Sequence, residues 1–153
     1  MSEVLLRKVA NVGFVPADAD EAEKVVRFKS GGVVRAKFTQ FRNYDFHKKF
    51  FAMLKVGFDA WEPPELEHNG LPVQKNFERF RKDCTIAAGF YDPVANLRGE
   101  VRAEAQSISF GSMTQEDFEK VYSAVVDVLL SRVLKNYTRA DLDRVVNELM
   151  GFM

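Results

Sequence analysis

The chain has 153 residues, a formal net charge of +0 and 46% hydrophobic residues, enough for one globular domain and too apolar for a disordered chain. No apolar run approaches the roughly 20 residues that cross a bilayer, and Met1 to Lys8 lacks the basic head and apolar core of a signal peptide. The lone cysteine, Cys84, excludes an internal disulfide and suits a reducing compartment.

Glu3 to Ala10 reads as a first strand that ends at Asn11-Val12-Gly13. Asp18 or Asp20 caps a short helix running to about Phe28, with acids near its positive end, and Ser30-Gly31-Gly32 breaks it. From Val33 to Phe41 the pattern alternates with a period of two, which predicts a strand carrying Arg35 and Lys37 on one face. Asn43 caps a helix to about Trp61, where Phe46, Phe50, Phe51, Leu54, Phe58 and Trp61 form an apolar stripe opposite Lys48, Lys55 and Asp59. Pro63-Pro64 stops that helix, and residues 62–73 form a Pro-rich loop.

A third helix covers Gln74 to Ala88 with Phe77, Phe80 and Cys84 inward, and Gly89 ends it. Phe90–Leu97 and Glu100–Ser109 form a hairpin turning near Arg98-Gly99, although Pro93 weakens its first strand. Thr114 and Thr138 cap the last two helices. This order predicts a single α+β domain over residues 1–153, a small mixed or antiparallel sheet packed with about five helices.

The zero net charge is an average over a bipolar chain. Between Arg27 and Lys55 lie eight basic residues (Arg27, Lys29, Arg35, Lys37, Arg42, Lys48, Lys49 and Lys55) and one acid, Asp45, a local balance of +7. A second basic cluster follows at Lys75, Arg79, Arg81 and Lys82, and acids gather before and after the basic run. Such asymmetry marks either a solvated face or a surface for a polyanion. Phe occurs 14 times. Most of these rings are needed for the core, and Phe41 and Tyr44, which lie off the apolar stripes, are the candidates for exposed rings.

Screens for chemistry return little. No P-loop follows a strand, and no Gly-x-Ser-x-Gly elbow is present. His47 sits at the edge of an aromatic helix face and His68 in the Pro-rich loop, and neither shares ligand spacing with Cys84 or a carboxylate. No catalytic residue, metal site or cofactor is expected. A nuclease would depend on carboxylates such as Asp83 and Glu104, which lack metal-nuclease spacing.

The segment Arg42-Asn43-Tyr44-Asp45-Phe46-His47-Lys48-Lys49-Phe50-Phe51 resembles a family of phage and prophage proteins of unknown function, in which an Arg-Asn pair precedes a His-(Arg/Lys)-Lys-Phe-Phe helix. Phe58-Asp59-Ala60-Trp61-Glu62-Pro63 and Ser107-Ile108-Ser109-Phe110 through Phe118 to Tyr122 are similar to the same family. More distantly, Arg42, Asp45, Lys49, Phe51, Ala52 and Leu54, together with Ser107, Ser109, Ser112, Thr114, Phe118 and Tyr122, resemble the lambdoid Orf-type (NinB-like) recombination mediators. Those phage proteins bind single-stranded DNA as dimers and help load a recombinase. Their Gln-Asn pair is replaced here by Phe46-His47, which puts any role of that pair in doubt.

Charge and resemblance together predict a non-catalytic phage or prophage accessory protein, cytoplasmic in the bacterial host, that binds single-stranded DNA in recombination or replication. Arg35, Lys37, Arg42, Lys48, Lys49 and Lys55 are its expected phosphate contacts and Tyr44 its stacking ring. The Orf-type likeness implies a homodimer. The alternative is an interaction module for a host or phage replication, recombination or repair protein, contacting it through Met113, Met150, Phe152 and Met153.

Overall fold

In the computed structural model, which describes residues 3–38, 43–109 and 112–151, five α-helices and three two-stranded antiparallel hairpins follow one another, an α+β chain as the sequence predicts. The backbone divides into two units, Met1–Phe38 and Thr39–Met153.

The first unit is a hairpin and a helix. Strands β1 (Leu6–Val9) and β2 (Gly13–Pro16) pair antiparallel, and α1 (Ala19–Val26) follows. Where the sequence predicts one strand ending at Asn11-Val12-Gly13, these residues instead turn the chain back on itself. Asn11 at φ 62° and Gly13 at φ 117° take the left-handed conformations that a tight reversal needs. Asp18 caps α1, its carboxylate accepting the Glu21 N–H at 3.0 Å. Glu21 is buried and accepts both the Leu5 N–H at 2.7 Å and the Lys24 ammonium at 2.6 Å, which ties the chain before β1 to the helix. That hydrogen bond from Lys24 to Glu21 holds the Lys24 pKa above its ordinary value.

The strand expected from Val33 to Phe41 does not form in its described part. Residues 33–38 carry neither helix nor ladder. Alternation supplies a surface suited to a sheet, but a strand also needs a partner for its backbone groups, and none pairs with this stretch among the described residues. Thr39 to Phe41 lie outside the described residues.

The second unit is mainly helical. Helix α2 (Tyr44–Ala60) starts where Asn43 accepts the Phe46 N–H at 3.0 Å and ends at Trp61, ahead of the two prolines. The Pro-rich stretch holds a small hairpin, β3 (Glu67–His68) with β4 (Leu71–Pro72), turning on Asn69 and Gly70 at φ 52° and 77°. Helix α3 (Phe77–Ala87) begins three residues later than the sequence suggests, because Asn76 is the cap and accepts the Arg79 N–H at 2.8 Å. The expected hairpin is present as β5 (Tyr91–Ala95) and β6 (Val101–Ala105), and Pro93 is tolerated because β5 has only one partner strand. Helices α4 (Gln115–Arg132) and α5 (Arg139–Gly151) carry the threonine caps foreseen. At α5 the capping is reciprocal: Asp141 N–H donates to the Thr138 hydroxyl at 3.1 Å, and Thr138 N–H donates to the Asp141 carboxylate at 2.9 Å.

Helix α2 is the centre of the packing and meets α3, α4 and α5, while α3 also lies on α4 and β6. The Phe surplus belongs here. Phe50 packs edge-on to Phe118 at 5.2 Å, Phe46 edge-on to Phe118 at 5.3 Å, and Phe58 edge-on to Phe77 at 5.5 Å. Such geometry adds about 0.5–1.5 kcal/mol per pair beyond area burial. Trp61 tilts over Phe80 at 5.3 Å and extends the aromatic cluster past the end of α2. Buried Gly57 permits the close approach of α2 to α4, since a Cβ there would lie 2.6 Å from a Leu129 methyl.

Candidate nucleic-acid interface

The side of α2 opposite the core is basic because the apolar stripe leaves room only there for long charged side chains. Positions 44, 48 and 55 fall within about 40° of one another around a helix of 3.6 residues per turn, and position 49 lies about 120° from their mean. Tyr44, Lys48 and Lys55 accordingly share one side, as the sequence predicts for the two lysines. The Lys48 ammonium sits 5.0 Å from the centre of the Tyr44 ring. That ring is half-buried, so it is less open than its position off the stripe suggests. Lys49 turns toward α4, with its ammonium 5.7 Å from the Tyr122 ring.

The remaining expected contacts are distributed elsewhere. Arg35 and Lys37 belong to the first unit and are exposed. Arg42, like Phe41, lies outside the described residues. One helix side therefore brings together Tyr44, Lys48 and Lys55.

Among the described residues, ion pairing is sparser in the basic run than in the rest of the chain, where half of the cations are paired. Lys24, Arg79, Arg81, Arg102, Lys120, Arg139 and Arg144 each pair with a carboxylate. Among the described residues of the run only Lys55 does so, reaching Asp59 at 2.8 Å. Arg27, Lys29, Arg35, Lys37, Lys48 and Lys49 make no ion pair among the described residues. Three of the four cations of the second basic cluster, Lys75, Arg79 and Arg81, are engaged within the fold. Lys75 donates to the Phe58 and Trp61 carbonyls, both at 2.8 Å, and so caps the C-terminal end of α2, while Arg79 and Arg81 pair with Asp83 and Glu78. The Arg81 hydrogen bond keeps the Glu78 carboxyl below its ordinary value.

Groups with potential reactivity are held in structural roles. Cys84 is buried, and burial with the nearby Asp83 charge pushes its thiol up to about 12. Burial likewise pushes the Tyr122 phenol up to about 12. His47 is half-buried against Phe51 at 4.8 Å and Phe118 at 5.8 Å, and His68 is exposed on β3. Asp83 and Glu104 are each within an ion pair, the latter with Arg102 at 2.7 Å. Among the described residues no three His, Cys, Asp or Glu side chains are grouped to hold a metal ion, and no helix is long and apolar enough to cross a membrane. An open groove between α3 and α4 is lined by Ala88, Ala124, Asp127, Ser131 and Arg132 among others.

Two expectations about exposed side chains are corrected. Met113 is buried and Met150 half-buried against the core, because each lies next to an apolar helix stripe, so neither offers a free contact surface. Phe152 and Met153 lie outside the described residues. Conversely, the structure exposes Phe14, Phe28, Phe38, Tyr91 and Tyr137, and no local sequence pattern marks Phe14 and Phe38 among them as a pair. Phe14 follows the Asn11–Gly13 turn, and only the hairpin that this turn closes gives it Lys8 as a cross-strand partner.

The sequence matches the family described as protein of unknown function (DUF1367) over residues 1–66 and 64–152. The two matched stretches meet in the Pro-rich segment. No curated protein and no solved structure matches the chain.

Proposed function

For this chain, which belongs to the DUF1367 family of proteins of unknown function, we propose a role as a non-catalytic accessory protein that binds single-stranded DNA. In this reading it is a phage or prophage protein, related in action to the Orf-type recombination mediators, working in the bacterial cytoplasm during recombination or replication. A homodimer is part of the same proposal. The observation that supports it is the run of cations without carboxylate partners among the described residues, Arg27, Lys29, Arg35, Lys37, Lys48 and Lys49, in a chain where half of the cations elsewhere are paired. A cation with no internal carboxylate partner keeps its full attraction for phosphate, and releasing the counterions of the nucleic acid then drives association.

Fluorescence anisotropy with labelled oligonucleotides tests this directly. Binding at micromolar protein and low salt is expected, weakening by about 0.7 log units per log unit of salt for each phosphate neutralised. Lys48→Ala and Lys37→Ala should each reduce that slope. No binding at low salt sinks the proposal.

A second reading, a module that grips a replication or repair protein, is favoured by Leu66, Leu71 and Val73 around β3–β4 and by Leu97 and Val101 at β5–β6, all exposed. Capture of such a partner that survives nuclease and is lost in Leu71→Ser would support it over DNA binding.

A further inference from the structure

We propose that Phe14 and Phe38 form the base-stacking platform of the nucleic-acid interface, with Lys8 beside them as a phosphate contact; this rests on the single-stranded DNA reading above. The two rings lie nearly parallel, 4.8 Å between centres and 23° between planes. They stack while 54% and 61% exposed, respectively. The other ring pairs among the described residues belong to the helical core, so this is the one built from two exposed rings. Burial does not explain the pair. An unpaired base placed on such a stack gains the ring contact that water denies it, and the gain tolerates any sequence because every base has a π-face.

Charge complementarity points the same way. Lys8 is the cross-strand partner of Phe14, which puts both side chains on one face of the β1–β2 hairpin. Lys37 adjoins Phe38 in sequence and Arg35 precedes Phe38 by three residues. None of these three cations has an ion pair among the described residues. Of the first unit's acids, Asp18 caps α1 and Glu21 is buried in its bonds to Leu5 and Lys24, while Glu3, Asp20 and Glu23 are exposed. Rings flanked by unpaired cations are the chemistry of a single-stranded nucleic-acid surface.

The test compares the full chain's binding of a labelled oligothymidylate of about 16 nucleotides with an abasic strand of equal length and charge. The native protein is expected to prefer the oligothymidylate by about 5-fold or more. Phe38→Ala should erase that preference while leaving abasic binding unchanged, and Phe38→Trp should keep it. Lys8→Ala should weaken both strands together. Phe38 lies outside helix and strand, so its truncation breaks no ladder; far-UV circular dichroism checks this, and Phe38→Leu serves as a second, bulk-preserving variant. Equal binding of both strands with a normal salt slope overturns the platform and leaves the DNA reading standing. So does a preference that survives in Phe38→Ala. Failure to bind either strand removes both. Binding to phosphatidylserine vesicles that Phe38→Ala abolishes, without preference for bases, assigns the rings to a lipid surface and overturns the proposal.

Discussion

The two units stabilise themselves in opposite ways. In the helical unit Phe50, Phe118, Leu129, Leu142 and Val146 are at most 2% exposed, and the polar groups lie around them. In the first unit the only buried residue among those described is a carboxylate, Glu21, while Val12, Phe14, Val26, Phe28 and Phe38 face solvent. One unit is held by area removed from water. The other is held by a hairpin ladder, a helix cap and the bonds of one buried acid. Segments below about 40 residues seldom bury enough apolar surface to be stable alone, and this one shows what that looks like when hydrogen bonds carry the order. The difference teaches where surface function is located: apolar side chains not used by the fold are available to a partner.

The sharpest way to break this contrast is to truncate one ring in each unit. Phe50→Ala removes a fully buried ring between α2 and α4 and should cost about 3–5 kcal/mol in chemical denaturation. Phe14→Ala should change the unfolding of the helical unit by less than about 0.5 kcal/mol. Comparable losses for both would mean that the first unit is part of the same core. Next in size is Gly57→Ala, where the added methyl meets Leu129 at 2.6 Å. Overpacking of this kind costs about 1–3 kcal/mol, read as a lowered melting temperature; a neutral result would show that α4 slides away freely.

Thr138→Ala removes the reciprocal cap of α5 and should cost about 1 kcal/mol, measured by urea midpoint, with no effect on hydrogen exchange in residues 3–38. The smallest effect concerns acid. Hydrogen bonds from the Thr138 backbone N–H and hydroxyl hold the Asp141 carboxyl below its ordinary value. A depressed carboxylate adds stability above its unfolded pKa and loses it as pH falls through the folded one. Asp141→Asn should therefore flatten the acid side of the stability profile, with melts near pH 7 and pH 3 as the check. A profile parallel to that of the native protein would remove Asp141 from the account.

What the sequence made legible follows the range of the interactions. Caps are local, so Asp18, Asn43, Thr114 and Thr138 were readable from one side chain and the amide three residues on. The stripe of α2 was readable because a helix repeats its face every three or four residues. Pairing was less so. The Val33–Phe41 alternation describes a surface suited to a sheet, yet a ladder depends on a second segment that no local pattern supplies. Two reversals are hidden for a different reason: Asn69-Gly70 is a two-residue turn signal set among prolines that by themselves predict only a loop, and Asn11-Val12-Gly13 carries the same residues whether a strand stops there or turns back. As for the interface, the sum of charges along Arg27 to Lys55 was visible, whereas the distribution of its members over two units and the loss of Lys55 to Asp59 depend on the fold.

The packing of Trp61 on Phe80 determines what an optical experiment can see. Trp61 is the chain's single tryptophan, and it reports from the junction of α2 and α3. Intrinsic emission is therefore a window on the helical unit alone. Melting of the β1–β2 hairpin and α1 would leave the signal unchanged, and a single sigmoidal emission curve would look two-state while part of the chain had already lost its order. Far-UV ellipticity, which records both units, should then lead the fluorescence transition, and the gap between the two curves measures how independently the first unit unfolds.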